Sequence, residues 1–251
     1  LLEQSGIGRK TLMPLVRHGS LGRALTPAGR RLRRGTVQEL SRALQAAIGT
    51  GAPSREQVSR AYTSALAAYA AGRRRLRQGY RTGQAAQADI AVALLGRPYQ
   101  VLDRELNKGI PEILAAQGVR AYTQDMLPRL ETLLPGGRGL AGLPIPGNDE
   151  AAGRLAEELR PLLRAVHWHY ATQILRSAAV CALTEGLYPV LVTAFKCSPD
   201  SFAVEYFKRL MDAHGKPYLV LQIDEHDSSV GYETRIEAAV AAFRNHLKRT
   251  R

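Results

Sequence analysis

The sequence predicts an α/β protein built on a parallel sheet, and three observations carry that reading. Apolar runs at Asp89–Leu95, Val119–Tyr122, Tyr188–Phe195 and Tyr218–Ile223 are short enough for strands, and a continuous apolar run suits a strand covered on both faces. Helical patterns separate these runs, so strand and helix alternate from residue 89 onward, as crossover units require. Each run then stops at turn-forming or polar residues: Gly96-Arg97-Pro98-Tyr99, Asp125-Met126-Leu127-Pro128, Cys197-Ser198 and Asp224-Glu225-His226-Asp227.

The chain has 251 residues, 45% of them hydrophobic, enough for one sizeable core or two modest ones. No apolar run approaches the roughly 20 residues of a membrane span, and no secretory signal is visible. Two cysteines are too few for a disulfide framework, which points to a cytoplasmic protein with reduced thiols. The first residue is Leu1 rather than Met, which reads as an incomplete N-terminus. The net charge of +13 is confined to one third of the chain: residues 1–85 hold 16 Lys/Arg against 3 Asp/Glu, and residues 86–251 hold 19 of each. A nucleic-acid-binding module has this asymmetry. Solvated Arg-rich helix faces have it too, and the scarcity of interleaved aromatic residues favours them.

Residues 1–86 read as a basic, mainly helical region. Turn signals at His18-Gly19-Ser20 and Thr26-Pro27 precede a helix over Thr36–Ile48, which Gly49-Thr50-Gly51 ends. The Leu25–Gly29 pentapeptide is similar to the wing of winged helix-turn-helix regulators, against the plainer reading of a loop before a capped helix. Ser54 caps a longer helix with Glu56 in its first turn. Residues 87–134 form a first α/β unit, with a helix over Leu106–Gln117 closed by Gly118. Residues 135–148 are a Gly/Pro-rich linker, and residues 149–251 form a second α/β unit. That unit opens with a helix to about Leu159 and another from Pro161 to Ala182, which carries His167, Trp168, His169 and Tyr170. Adjacent helical positions point about 100° apart, so His167 and His169 do not share one metal. A final helix runs from Ser228 or Ser229 into the basic tail.

The stretch Leu187–Phe202 has the strongest functional character. It reads as strand, cysteine turn and helix. Cys197 falls in the turn, Ser198 caps the helix, Pro199 fits its first position and Asp200 its first turn,. This puts a thiol at the carboxyl edge of the sheet, where open α/β sheets bind ligands, beside a helix N-terminus that favours thiolate. Cys197 is a candidate nucleophile with His226 as base, or an unligated turn cysteine. Cys181 lies among apolar residues of a helix and reads as core. Glu225 and His226 are candidates for proton transfer, and Arg235 and Lys196 are candidate partners for the carboxylates. Arg97 and Asp125 also fall at strand carboxyl ends. With no Gly-rich P-loop, no nucleotide site is expected.

Several motifs together resemble one family. They are ALLGRPYQVLDRELNKGIPEILAAQGV, QDMLP, HWHYATQIL, LYPVLVTAFKCSPDSF and LQIDEHDSSVGYETRIEAAVAAFRNH, within residues 33–247. The chain is similar to the CoA-substrate-specific enzyme activase-related group, kin to the iron–sulfur components of 2-hydroxyacyl-CoA dehydratases. The resemblance implies flavodoxin-like α/β units with a 4Fe-4S cluster held between them. It implies a part in ATP-driven, low-potential electron transfer, with an ATP-dependent activase component and an acyl-CoA substrate as partners. It makes Cys197 a cluster ligand, and places Ser198, Gly96, Arg97 and Asp224 around the cofactor. A cubane cluster takes about four thiolates and this chain has two cysteines. The remaining ligands are therefore expected from an upstream cysteine-bearing segment or a partner subunit, with the present chain as the C-terminal part of a larger protein and inactive alone, or as a degenerate homologue that lost the cluster.

Overall fold

The structure is a computed structural model, and it describes residues 27–85, 89–130, 133, 149–194, 198–223 and 229–251. The chain divides into two compact units, Leu1–Arg75 and Leu76–Arg251.

The described part of the first unit is helical. Helix α1 spans Pro27–Ile48, a 3-10 turn spans Gly49–Gly51, and α2 starts at Arg55. Proline suits the first turn of a helix because its missing N–H has no partner there in any case, so α1 begins nine residues before the predicted Thr36. The α2 start is a reciprocal capping box. Gln57 N–H donates to Ser54 Oγ (3.2 Å), and Ser54 N–H donates to Gln57 Oε1 (2.7 Å),. Arg31, Arg34, Arg74 and Arg75 are exposed, as solvated helix faces require.

Helix α2 ends at Ala85, and its last turns belong to the second unit. The order there is β1 (Ala91–Leu95), α3 (Pro98–Leu102), α4 (Ile110–Ala116), β2 (Arg120–Thr123), α5 (Asp149–Ala165), α6 (His169–Leu183), β3 (Leu187–Ala194), α7 (Ser198–Ala213), β4 (Leu219–Ile223) and α8 (Ser229–Thr250). The strands form one sheet in the order β2-β1-β3-β4. All pairs are parallel, with Leu94 beside Thr123, Leu95 beside Leu191 and Ala194 beside Ile223. The sequence suggests two separate α/β units, but β1 pairs directly with β3, so both halves build a single sheet.

Alternation along β1 explains the three layers. Ala91, Ala93 and Leu95 face one core, shared with Tyr80 of α2, Leu155 of α5, Leu175 of α6 and Phe207 of α7. Ile90, Val92 and Leu94 face the other, shared with Val101, Leu114 and residues of α8 such as Phe243. The β1–β2 crossover thus lies on one face and the β3–β4 crossover helix on the other, and the sheet changes winding direction between β1 and β3.

Two helices differ from the sequence expectation. Helix α5 continues through Pro161 to Ala165, where the sequence suggests a break. The chain breaks instead at residues 166–168, and Trp168 takes an extended conformation (φ −78°, ψ 118°) as the α6 N-cap. His167 and Trp168 therefore lie in a connector rather than within the helix. The expected helix over Leu106–Gln117 shortens to α4, because Lys108 (φ 53°) and Gly109 (φ 73°) form a left-handed pair that helical backbone cannot accommodate.

Candidate binding site at the carboxyl edge of the sheet

The site starts with Gly96, the residue after β1. Its φ of +153° lies outside the range L-residues favour, and a β-carbon there would sit 2.6 Å from the Val192 carbonyl oxygen and 2.9 Å from a methyl of Val101. Only glycine lets β1 end this close to β3. Gln124, just beyond β2, donates its backbone N–H to Leu94 O at 3.1 Å and accepts from the Gly96 N–H at 3.4 Å.

Arg97 is the N-cap of α3, in extended conformation, and Pro98 occupies the first turn. The Arg97 carbonyl accepts from the N–H groups of Gln100 (2.9 Å) and Val101 (3.1 Å). This short helix buries Gln100 and Val101 and leaves Tyr99 and Leu102 exposed. After it, Asn107 is buried with its polar groups used: Nδ2 donates to Val101 O at 3.0 Å, and Oδ1 accepts from Gly109 N–H at 2.9 Å.

A small pocket, with room for about one water, opens where the winding reverses. Arg97 and Gln100 line it beyond β1, Thr193 and Leu191 from β3, Ile174 from α6 and Val204 from α7. Open α/β sheets place ligands in this crevice. Gln100 is 4% exposed, and its Oε1 has no hydrogen-bond partner. Close by in the chain, Trp168 at the start of α6 stacks on Phe202 of α7, with ring centroids 6.0 Å apart and planes 15° from parallel. Both rings are about half exposed.

Among the sequence-predicted site residues, Gly96 and Arg97 lie at the carboxyl end of β1, and Ser198 opens α7. Cys197, Asp224, Glu225 and His226 lie outside the described residues. Of the strands leading to them, β3 pairs with β1 and β4 with β3, both in parallel, so all three strands end on a common edge. Arg235 donates to Val220 O at 2.7 Å. Gln100, Thr193 and the Trp168–Phe202 pair are absent from the sequence reading. A glutamine in a five-residue helix carries no local signal of burial, and Trp168 and Phe202 are 34 positions apart.

Residues 21–127 match the family model described as CoA enzyme activase uncharacterised domain. This segment is similar to that CoA enzyme activase domain. It contains β1, the Gly96–Tyr99 turn, α3 and β2, and thus one wall of the pocket. It stops short of β3 and the cysteine turn, so this match does not reach Cys197 or the Asp224–His226 motif. No curated protein and no solved structure matches the chain.

The opposite edge holds a second polar group. Lys216 is 7% exposed; its Nζ donates to Thr184 O at 2.7 Å and lies 4.6 Å from the centre of the Tyr188 ring. Burial lowers its pKa to about 8. The Tyr188 hydroxyl and His246 Nδ1 are 2.9 Å apart, and His246 Nε2 is 3.1 Å from Gly215 O. Cys181 is fully buried, and burial pushes its thiol up to about 12.

That burial bears on the metal centre the resemblance implies. Among the described residues, no three His, Cys, Asp or Glu side chains lie together as a metal site. Cys181 sits in the core on α6, so Cys197 is the only cysteine of this chain left for the carboxyl edge. The residues of this chain do not make up a four-thiolate site. No helix among the described residues is long and apolar enough to cross a membrane.

Proposed function

We propose that this protein is a component of an acyl-CoA enzyme activation system that handles low-potential electrons driven by ATP hydrolysis elsewhere. In this reading Cys197 gives one thiolate to an iron–sulfur cluster completed by cysteines from another segment or a partner subunit. Glu225, His226 and Asp224, just beyond β4, would surround it. The supporting observation is the activase-related domain over residues 21–127, whose Gly-Arg-Pro turn ends on the same sheet edge as the strands leading to Cys197 and Asp224. A thiolate after a parallel strand and before a helix is favoured by the helix N-terminus, and thiolate is the form iron binds.

The test is anaerobic iron and sulfide analysis with EPR on the intact assembly, in wild type and Cys197→Ser. Loss of cluster signal or a changed spectrum in Cys197→Ser is the expected result. An unchanged, fully loaded cluster in that variant overturns the ligand role. For the 251-residue chain alone, the expected iron content is far below one cluster per chain. A stoichiometric cubane there would show that the chain's own ligands suffice.

A further inference from the structure

We infer that the outer edge of β4 is a strand-pairing surface for a second copy of this chain, held closed by Arg235 and Tyr232 of α8. The inference is independent of the proposed function and needs no cluster. Strand β4 ends the sheet, and among the described residues no strand lies beyond it. The ladder shows which of its backbone groups face out. Ala91 N–H donates to Gly186 O at 2.7 Å, and Ala91 lies beside Leu187. Even-numbered residues of β3 therefore turn their backbone groups to β1, and odd-numbered ones to β4. Leu191 lies beside Val220, so Leu219, Leu221 and Ile223 bond to β3, while Val220 and Gln222 turn their N–H and C=O groups outward. Gln222 is exposed and Val220 half-buried, which leaves this side of the strand open to solvent.

An open edge is a template for another strand. Here both outward carbonyls are occupied from one helix: Arg235 donates to Val220 O at 2.7 Å, and the Tyr232 hydroxyl to Gln222 O at 3.4 Å. Arg235 also sets a charge on the edge, which opposes pairing. A second copy is the occupant these caps exclude, because the edge is self-complementary. A two-fold axis beside Leu221 sets Val220 of each β4 opposite Gln222 of the other, in antiparallel pairing. In that register the opposed residues exchange N–H···O bonds, and they do so through the same carbonyls that Arg235 and Tyr232 occupy. Pairing therefore requires both caps to leave, and it brings the two like-charged Arg235 side chains to one interface.

The test is light scattering on the full chain over a concentration series, with amide hydrogen exchange read by NMR. The wild type is expected to be monomeric, with the Val220 and Gln222 amides exchanging fast while Leu221 and Ile223, bonded to β3, exchange slowly. The double variant Tyr232→Phe, Arg235→Met is expected to dimerise at least tenfold more tightly than wild type and to protect the Val220 and Gln222 amides as it does so. Arg235→Met alone, at an exposed position, keeps the test open if a change at the buried Tyr232 disturbs folding; it should dimerise more weakly with the same protection. Arg235→Lys still donates and keeps the charge, and should remain monomeric. Slow exchange of Val220 and Gln222 in the wild-type monomer overturns the inference, because the edge is then already covered. So do folded Arg235→Met and double variants that stay monomeric, or a variant dimer in which those two amides still exchange fast.

Discussion

Replacing Lys216 with Met should change how stability depends on pH, and the size follows from burial. In the folded protein the ammonium is removed from water, and burial lowers its pKa from 10.5 to about 8; the charge of Glu185 acts the other way. The folded-state pKa is the lower one, so between those values the unfolded chain binds more protons, and stability rises with pH. The penalty for the buried charge is therefore fully present below pH 8 and relieved as the pH climbs toward 10.5. In full it amounts to about 3 kcal/mol, with roughly half recovered by pH 9. Cys181 and Tyr188, both pushed up to about 12 by burial, titrate above this window, and His246, lowered by burial and by Lys216, titrates below it. Lys216→Met keeps the length of the side chain, removes the charge, and gives up the hydrogen bond to Thr184 O, worth about 1 kcal/mol. Urea unfolding of both proteins at pH 7, 8, 9 and 10 reads the effect. The variant should be the more stable at pH 7, and the difference should shrink and reverse by pH 10. A constant difference across that range would refute the reasoning.

Two more outcomes follow from the same geometry. Gly96→Ala places a β-carbon 2.6 Å from the Val192 carbonyl oxygen at a strained φ; a loss of about 2–4 kcal/mol is expected in urea unfolding, and a neutral substitution would contradict the close packing of β1 on β3. Cys181 is fully buried with its thiol raised to about 12, so under native conditions a thiol reagent should leave it unmodified while urea exposes it; rapid native labelling of Cys181, read by peptide mass, would contradict its place in the core.

The four strands were legible because each is a short apolar run bounded by turn residues, and a strand buried on both faces needs that composition. Their parallel direction followed from the helices between them. The Gly96 turn and the start of α7 were legible for a similar reason, since glycine and proline have local conformational requirements. The break between α5 and α6 was not. Pro161 is a strong local signal, but it removes one hydrogen bond and leaves the helix running, while the actual break at Trp168 accompanies its stacking on Phe202, a contact between distant positions.

The sequence by itself determined that this is a parallel α/β protein with functional-looking residues after its strands, because composition and periodicity act over a few residues. Tertiary structure alone decided that β1 lies beside β3, making one sheet from segments 96 residues apart, Ala91 beside Leu187. It alone buried Gln100 without a partner and set Lys216 under the Tyr188 ring. The physical reason is the same in each case. Burial and partnership depend on what the rest of the chain brings alongside a residue, and a glutamine or a lysine looks the same in sequence whether water or protein surrounds it.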